Sequence, residues 1–273
     1  MRPRLTRVSI SLLATYAALC LAACTFQRAL LYHPGGPPTR DPGDVGLEWS
    51  DVTLTTEDGE VLGAWLVEVE NPRGCVIVSH GNGGSLENRV GLAATLADMG
   101  FAVFLYDYRG YGTSTGSPSE DGLYLDGSAA YQWLLEHSWT PAQIVLWGES
   151  LGGGVATELA TRFECSRLVL DHTFTSAVDA GSYHYPWLPV SLLSIDRFES
   201  LDKLPQIDVP ILIIHSPQDR VIPYEQAEQL HAAAPDRATL LTTEGGHNDL
   251  GFMARPSYRS TVLEFLRGTG GEQ

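Results

Sequence analysis

Gly148-Glu149-Ser150-Leu151-Gly152 is the stretch from which the rest of this sequence can be read. Before it comes Gln143-Ile144-Val145-Leu146-Trp147, a short apolar run that suits a buried parallel strand. After it comes Gly153-Gly154-Val155-Ala156-Thr157-Glu158-Leu159-Ala160, which suits a helix lying close on a sheet. A serine at such a strand-to-helix corner is held in a strained conformation, and glycine on either side removes collisions with neighbouring chain. The helix start then brings backbone N–H groups and a positive dipole end beside the hydroxyl, where an oxyanion would form. The same five residues also fit an ordinary glycine-rich turn, so the remainder of the chain has to decide.

Outward from this corner, short apolar runs alternate with helical stretches. Cys75-Val76-Ile77-Val78-Ser79, residues 101–107, 167–171, 211–215 and 238–242 read as strands. Helices are expected near 86–99, 120–137, 224–234 and 256–267. Ahead of them, residues 51–56 and 61–67 flank Glu57-Asp58-Gly59-Glu60 and predict an antiparallel hairpin turning on Asp-Gly. The pattern implies an α/β fold: a mostly parallel sheet of about eight strands with helices on both faces. A ligand site is expected at the carboxyl ends of the strands. Residues 172–209 interrupt the alternation with an aromatic, proline-punctuated insertion, which reads as a lid or pocket wall or as packing for the crossover. Tyr183 and Trp187 are its candidate substrate-binding side chains.

A serine hydroxyl needs a base, and the base needs an orienting acid. Asp219 in Ser216-Pro217-Gln218-Asp219-Arg220-Val221-Ile222-Pro223 and His247 in Glu244-Gly245-Gly246-His247-Asn248-Asp249 each follow a strand, as Ser150 does. Three suitable groups therefore fall at one edge of the sheet. Asp171 is a second candidate for the acid, with helix capping as its plain alternative. Asp249 is too close to His247 in sequence to orient it easily and is expected to bond locally. Asp107 and Arg109 read as a structural ion pair or loop hydrogen bond beneath the site. In His80-Gly81-Asn82-Gly83-Gly84, glycine lets the chain pass close to a substrate, with Gly81 beside it. The Asn82 and Leu151 N–H groups are the candidate oxyanion donors. No Gly-Lys-Ser/Thr follows to make a phosphate cradle, and no metal-ligand motif or cofactor fingerprint is found.

Together with Asp107-Tyr108-Arg109-Gly110-Tyr111-Gly112, Asp219-Arg220-Val221-Ile222-Pro223 and Gly245-Gly246-His247-Asn248-Asp249, these motifs make residues 50–268 resemble the α/β-hydrolase superfamily. Within it the chain is similar to small membrane-attached serine hydrolases, a branch that includes lysophospholipase-like bacterial proteins and eukaryotic protein depalmitoylases. Phe26-Gln27-Arg28-Ala29-Leu30-Leu31-Tyr32-His33-Pro34 also resembles a segment of that branch. The resemblance implies a Ser150–His247–Asp219 triad acting on an acyl ester or thioester without a cofactor. Related aminopeptidases keep a peptidase reading open, and a silent hydrolase fold used for binding is the alternative outside enzymes. Dehalogenases and epoxide hydrolases of the superfamily carry aspartate at the elbow, and serine argues against both.

The N-terminus is a separate device. Arg2, Arg4 and Arg7 precede a mostly apolar run from Val8 to Ala23, and the run ends in Leu21-Ala22-Ala23-Cys24. About sixteen apolar residues are short for a membrane span but suit a secretory signal. The ending resembles the bacterial lipobox, which implies cleavage after residue 23, lipid on Cys24 and a place in the bacterial envelope facing the periplasm or exterior. Residues 24–49, rich in glycine and proline, are then expected to be a tether. A formal net charge of −16 argues against a nucleic-acid partner and against electrostatic docking on anionic lipid, leaving the lipid as the membrane attachment. Cys75 and Cys165 are expected to be free thiols. The resemblance implies the strand order usual for that superfamily, which puts the elbow strand between them, and two strand spacings of about 9.6 Å exceed what a disulfide spans.

Overall fold

The structure is a computed structural model that describes residues 2–249 and 253–268. Its N-terminal helix α1 (Arg2–Leu31) is followed by the short β1 (His33–Pro34) and the hairpin β2 (Trp49–Thr55) and β3 (Val61–Val67). Then come β4 (Cys75–Ser79), the two-residue β5 (Gly83–Gly84), α2 (Val90–Asp98), β6 (Ala102–Tyr106), α3 (Glu120–Glu136), β7 (Ile144–Glu149) and α4 (Leu151–Arg162). The second half contains β8 (Arg167–Asp171), α5 (Ala177–His184), α6 (Val190–Leu193), α7 (Ser200–Lys203) and β9 (Ile211–His215). It ends in α8 (Tyr224–Ala233), β10 (Ala238–Thr242) and α9 (Pro256–Arg267).

Eight strands form one sheet in the order β10-β9-β8-β7-β4-β6-β3-β2, parallel except where β3 pairs with β2 and β6. Strand β7 is central and wholly apolar until its last two residues, because helices cover both of its faces. Ile144 and Leu146 point into a core shared with Tyr131, Val155 and Leu159, while Val145 and Trp147 point into one with Leu92, Leu96 and Val262. Cys75 and Cys165 lie on either side of β7 and are unbonded. Burial pushes the Cys165 thiol up to about 12 and that of Cys75 higher still.

The N-terminal apolar run is longer than the roughly sixteen residues read from the sequence. Helix α1 runs unbroken through Cys24, and its apolar stretch Val8–Leu31 is 24 residues long, enough to cross a membrane. Thr25 to Leu31 contain no glycine or proline, so nothing stops the helix before Pro34. The glycine- and proline-rich residues that follow are fastened down. His33–Pro34 pair with Gly83–Gly84, the Gly35 N–H donates to the Gly84 carbonyl at 2.7 Å, and the Arg40 N–H donates to Glu87 at 3.2 Å.

Helix α4 begins so close to the sheet that a Cβ on Gly152 would overlap the Ser79 carbonyl oxygen and lie 2.5 Å from its carbon. A Cβ on Gly148 would stand 2.5 Å from the Cα of Gly153. Both are backbone obstacles that no side-chain rotation relieves. Gly152→Ala should therefore destabilise the protein by about 3 kcal/mol or more, whereas Gly36→Ala, whose Cβ meets nothing within 4 Å, should stay within about 0.5 kcal/mol of the parent. Urea unfolding midpoints compare the two, and equal midpoints would contradict the packing described.

Candidate active site

Ser150 stands at the corner between β7 and α4 with φ 51° and ψ −114°, a left-handed conformation costly for a residue with a side chain. Two hydrogen bonds hold it there. The Ser150 N–H donates to the Asp171 carbonyl at 2.8 Å, and the Thr173 hydroxyl donates to the Ser150 carbonyl at 2.7 Å. The hydroxyl of Ser150 is then left facing the loops at the carboxyl ends of β9 and β10.

The loop after β10 brings His247 to within 2.9 Å of Ser150, Nε2 to Oγ. Its Nδ1 lies 2.7 Å from Oδ2 of Asp219, on the loop after β9. An Nδ1–H donating to the carboxylate leaves Nε2 free to accept from the serine hydroxyl. The other carboxylate oxygen of Asp219 accepts from the N–H groups of Val221 and Ile222 at 2.8 and 2.9 Å. Burial alone would raise the Asp219 pKa. The bond and charge of His247, with those two N–H groups, outweigh it and hold the carboxyl below the ordinary range. Asp171 is engaged elsewhere: it sits 2.6 Å from Nδ1 of His172, whose ring stacks on His215 and stands edge-on to His247 at 6.2 Å. Asp249 bonds locally, its N–H donating to the Gly246 carbonyl at 3.0 Å.

Opposite the serine, a Cβ placed on Gly81 would stand 3.5 Å from the Cβ of Ser150. The ring of His80 donates from Nδ1 to the Gly81 carbonyl at 2.7 Å. Carbonyl and N–H point in opposite directions in a trans peptide, so this bond turns the Asn82 N–H away from the ring. Asn82 is further pinned through its own carbonyl, which accepts from the His33 N–H at 2.9 Å and the Tyr111 hydroxyl at 2.8 Å. Its side-chain amide donates to the Leu31 carbonyl at 3.0 Å. Burial, then the nearby Arg89 charge, push His80 down to about 3, so its ring is neutral and its 3.5 Å approach to Asp107 is no ion pair. Burial also lifts Asp107 to about 7.

Asp107 and Arg109 do not pair with each other. Asp107 accepts from the Leu86 N–H, and Arg109 forks between Asp126 and Asp58. A contact that motif reading missed is the bidentate Arg89–Glu149 pair, with nitrogen–oxygen distances of 3.0 and 2.9 Å, which braces the residue before Ser150 against the loop carrying Gly81. Its only sequence signal is an acid inside the elbow and a base inside a helix start, and neither points to the other.

Ser150, Leu151, Asn82 and His247 line a cavity of about 300 Å³ whose remaining wall is mostly apolar, including Leu30, Leu31, Phe174, Ala177 and Ile222. Tyr183 and Trp187, expected on that wall, lie outside it and are 56% and 54% exposed. Residues 177, 180, 181 and 184 fall on one helical face and reach the cavity, which turns 183 away. Trp187 follows the helix and stands beside α1, its carbonyl accepting from the Tyr16 hydroxyl at 3.0 Å. His184 does line the cavity and donates from Nε2 to the Val221 carbonyl at 2.8 Å.

The alpha/beta hydrolase fold family matches residues 74–189, and the TAP-like protein family matches residues 194–271. Alpha/beta hydrolase domain-containing protein 17C of Xenopus tropicalis is 34% identical over 77% of this chain and 67% of its own length. The chain belongs to the α/β-hydrolase family. This α/β-hydrolase is also 28% identical to lysophosphatidylserine lipase ABHD12 of Danio rerio, over 97% of this chain and 84% of the relative. Among solved structures, an esterase of Pyrococcus furiosus shares the fold with a TM-score of 0.71 at 23% identity, over 87% of this chain and 97% of that one.

Proposed function

We propose that this chain is a membrane-tethered serine hydrolase that cleaves an acyl ester or thioester through a covalent acyl-enzyme. The observation supporting it is the unbroken relay Asp219–His247–Ser150 in a cavity whose wall away from the relay carries Leu30, Leu31, Phe174 and Ile222. His247 Nε2 takes the hydroxyl proton as Oγ attacks the acyl carbon, and Asp219 steadies the imidazolium. The Asn82 and Leu151 N–H groups receive the oxyanion. Collapse breaks the bond to the leaving group, which takes the proton from His247. Water, deprotonated by the same imidazole, then releases the acid and restores Ser150. An apolar wall suits a hydrocarbon acyl group better than a charged one, and the lipase among the relatives agrees with an ester of a lipid.

Hydrolysis of nitrophenyl acyl esters tests the chemistry. The parent should turn them over, Ser150→Ala should abolish turnover, and Asp219→Asn should lower kcat by about 10⁴. His80→Ala, which frees the Gly81 peptide to rotate, should lower kcat by about a hundredfold with KM little changed, as loss of one oxyanion donor does. Turnover that persists in Ser150→Ala would remove the serine from the mechanism.

Attachment is proposed through lipid on Cys24, in the bacterial envelope facing the periplasm or exterior, supported by Leu21-Ala22-Ala23-Cys24 after a basic, apolar start. Cells fed an alkyne palmitate should label the parent but not Cys24→Ser. Equal labelling of both would leave α1 as an uncleaved span.

A further inference from the structure

Beside the cavity that holds Ser150 lies a second one, of about 140 Å³, between α1 and the lid helices α5 and α6. The two share four wall residues, Leu30, Leu31, Ala177 and Gly181. From there the second cavity continues along Ala23 and Gln27 of α1 and along Leu188, Val190 and Leu193 of the lid. Ala23, Gln27, Leu30 and Leu31 recur at helical spacing, so one face of α1 forms the wall for about 12 Å, leading from the serine towards the apolar part of the helix.

Two polar side chains along this wall, Gln27 and Asp196, are paired. The Gln27 amide donates to the Leu193 carbonyl at 3.1 Å and accepts from the Ile195 N–H at 2.7 Å. Asp196 is held by Arg28 and the Tyr32 hydroxyl, both at 3.0 Å. These bonds clasp the lid to α1 and leave an apolar interior. Outside the second cavity the lid exposes Trp187, Leu192 and Ile195, with Leu192 at 84%, alongside a helix apolar enough to cross a bilayer. Large apolar side chains left in water beside such a helix match the membrane interface.

We propose that the two cavities are consecutive segments of one acyl-chain channel, walled by α1 and the lid, through which a long-chain acyl ester reaches Ser150 directly from the bilayer. The inference rests on the ester-hydrolase reading above and adds the source and length of the acyl group. It holds for either form of the N-terminus. An uncleaved α1 carries the wall into the membrane, and cleavage before Cys24 leaves Gln27, Leu30 and Leu31 in place with the anchoring lipid at the mouth. The carboxyl end of the chain lies at Ser150 and its methyl end between α1 and α6. Short acyl groups fill only the inner cavity, so the outer one selects for length without taking part in the chemistry.

Leu193 lines the outer cavity and not the inner one. In the full chain reconstituted in phosphatidylcholine vesicles, Leu193→Trp should lower kcat/KM for a palmitoyl nitrophenyl ester by at least about tenfold while the butyryl ester stays within about twofold. Equal losses on the two esters, or none on either, would overturn the channel. A second readout does not need turnover. Ser150→Ala in the same vesicles is photolabelled with a palmitate analogue bearing a terminal diazirine, and adducts are mapped by mass spectrometry. Adducts concentrated at residues 24–31 and 188–193, and reduced by adding Leu193→Trp, support the channel. Adducts spread evenly along the apolar residues of α1, or unchanged by the tryptophan, overturn it. If no ester is hydrolysed by the parent, the reaction assigned to Ser150 fails and the photolabelling alone decides the channel.

Discussion

Where α4 leaves the sheet, there is no room for a single carbon between Gly152 and the end of β4. The Ser79 carbonyl already occupies the place a side chain would need, and Gly148 is closed in the same way by the turn of helix that follows it. This close approach forces the chain through a corner in which Ser150 has a positive φ. Strain of this kind costs roughly 1–3 kcal/mol and persists only where the surroundings over-determine it. Here they do: the Asp171 carbonyl, the Thr173 hydroxyl and the Arg89–Glu149 pair each fix a different atom around the corner. The hydroxyl that results projects beyond the strand ends, with the first N–H groups of α4 beside it.

Charge around the corner is distributed with a consistent logic. His80, behind the oxyanion loop, is kept neutral by burial, so it works as a rigid hydrogen-bond donor to the Gly81 carbonyl. Asp219 is kept ionised by the donors around it, as the proposed role of balancing a charge on His247 would require. Both pKa values are pushed down, which leaves the imidazole of His80 neutral and the carboxylate of Asp219 charged. The oxyanion loop is also tied to the N-terminus, since Leu31 and His33 both hydrogen-bond to Asn82. The segment that leads from α1 is thus part of the wall of the site.

Much of this was legible in the residues. The elbow, the parallel strands and the loops carrying Asp219 and His247 all follow from short-range patterns, because a buried strand is an apolar run and a turn needs its glycines. Strand β7 between Cys75 and Cys165 followed instead from the strand order that the resemblance implied. What escaped were relations between distant segments. Arg89 and Glu149 are sixty residues apart and meet only once the sheet is assembled. Tyr183 and Trp187 were placed on the pocket by composition, yet the face of α5 that meets the site carries small residues. The apolar run read from the sequence stops at Ala23, whereas helix α1 continues to Leu31. In its last turns Gln27 and Arg28 meet Leu193 and Asp196 of the lid, contacts between segments more than 160 residues apart.

The most direct measurement is the intact mass of the folded chain after treatment with a fluorophosphonate, followed by peptide mapping. A strained serine whose proton His247 can accept should form one phosphonyl adduct, located on Ser150, and His247→Ala should suppress it. A folded parent that forms no adduct, or an adduct on another residue, would contradict a nucleophile at the corner between β7 and α4.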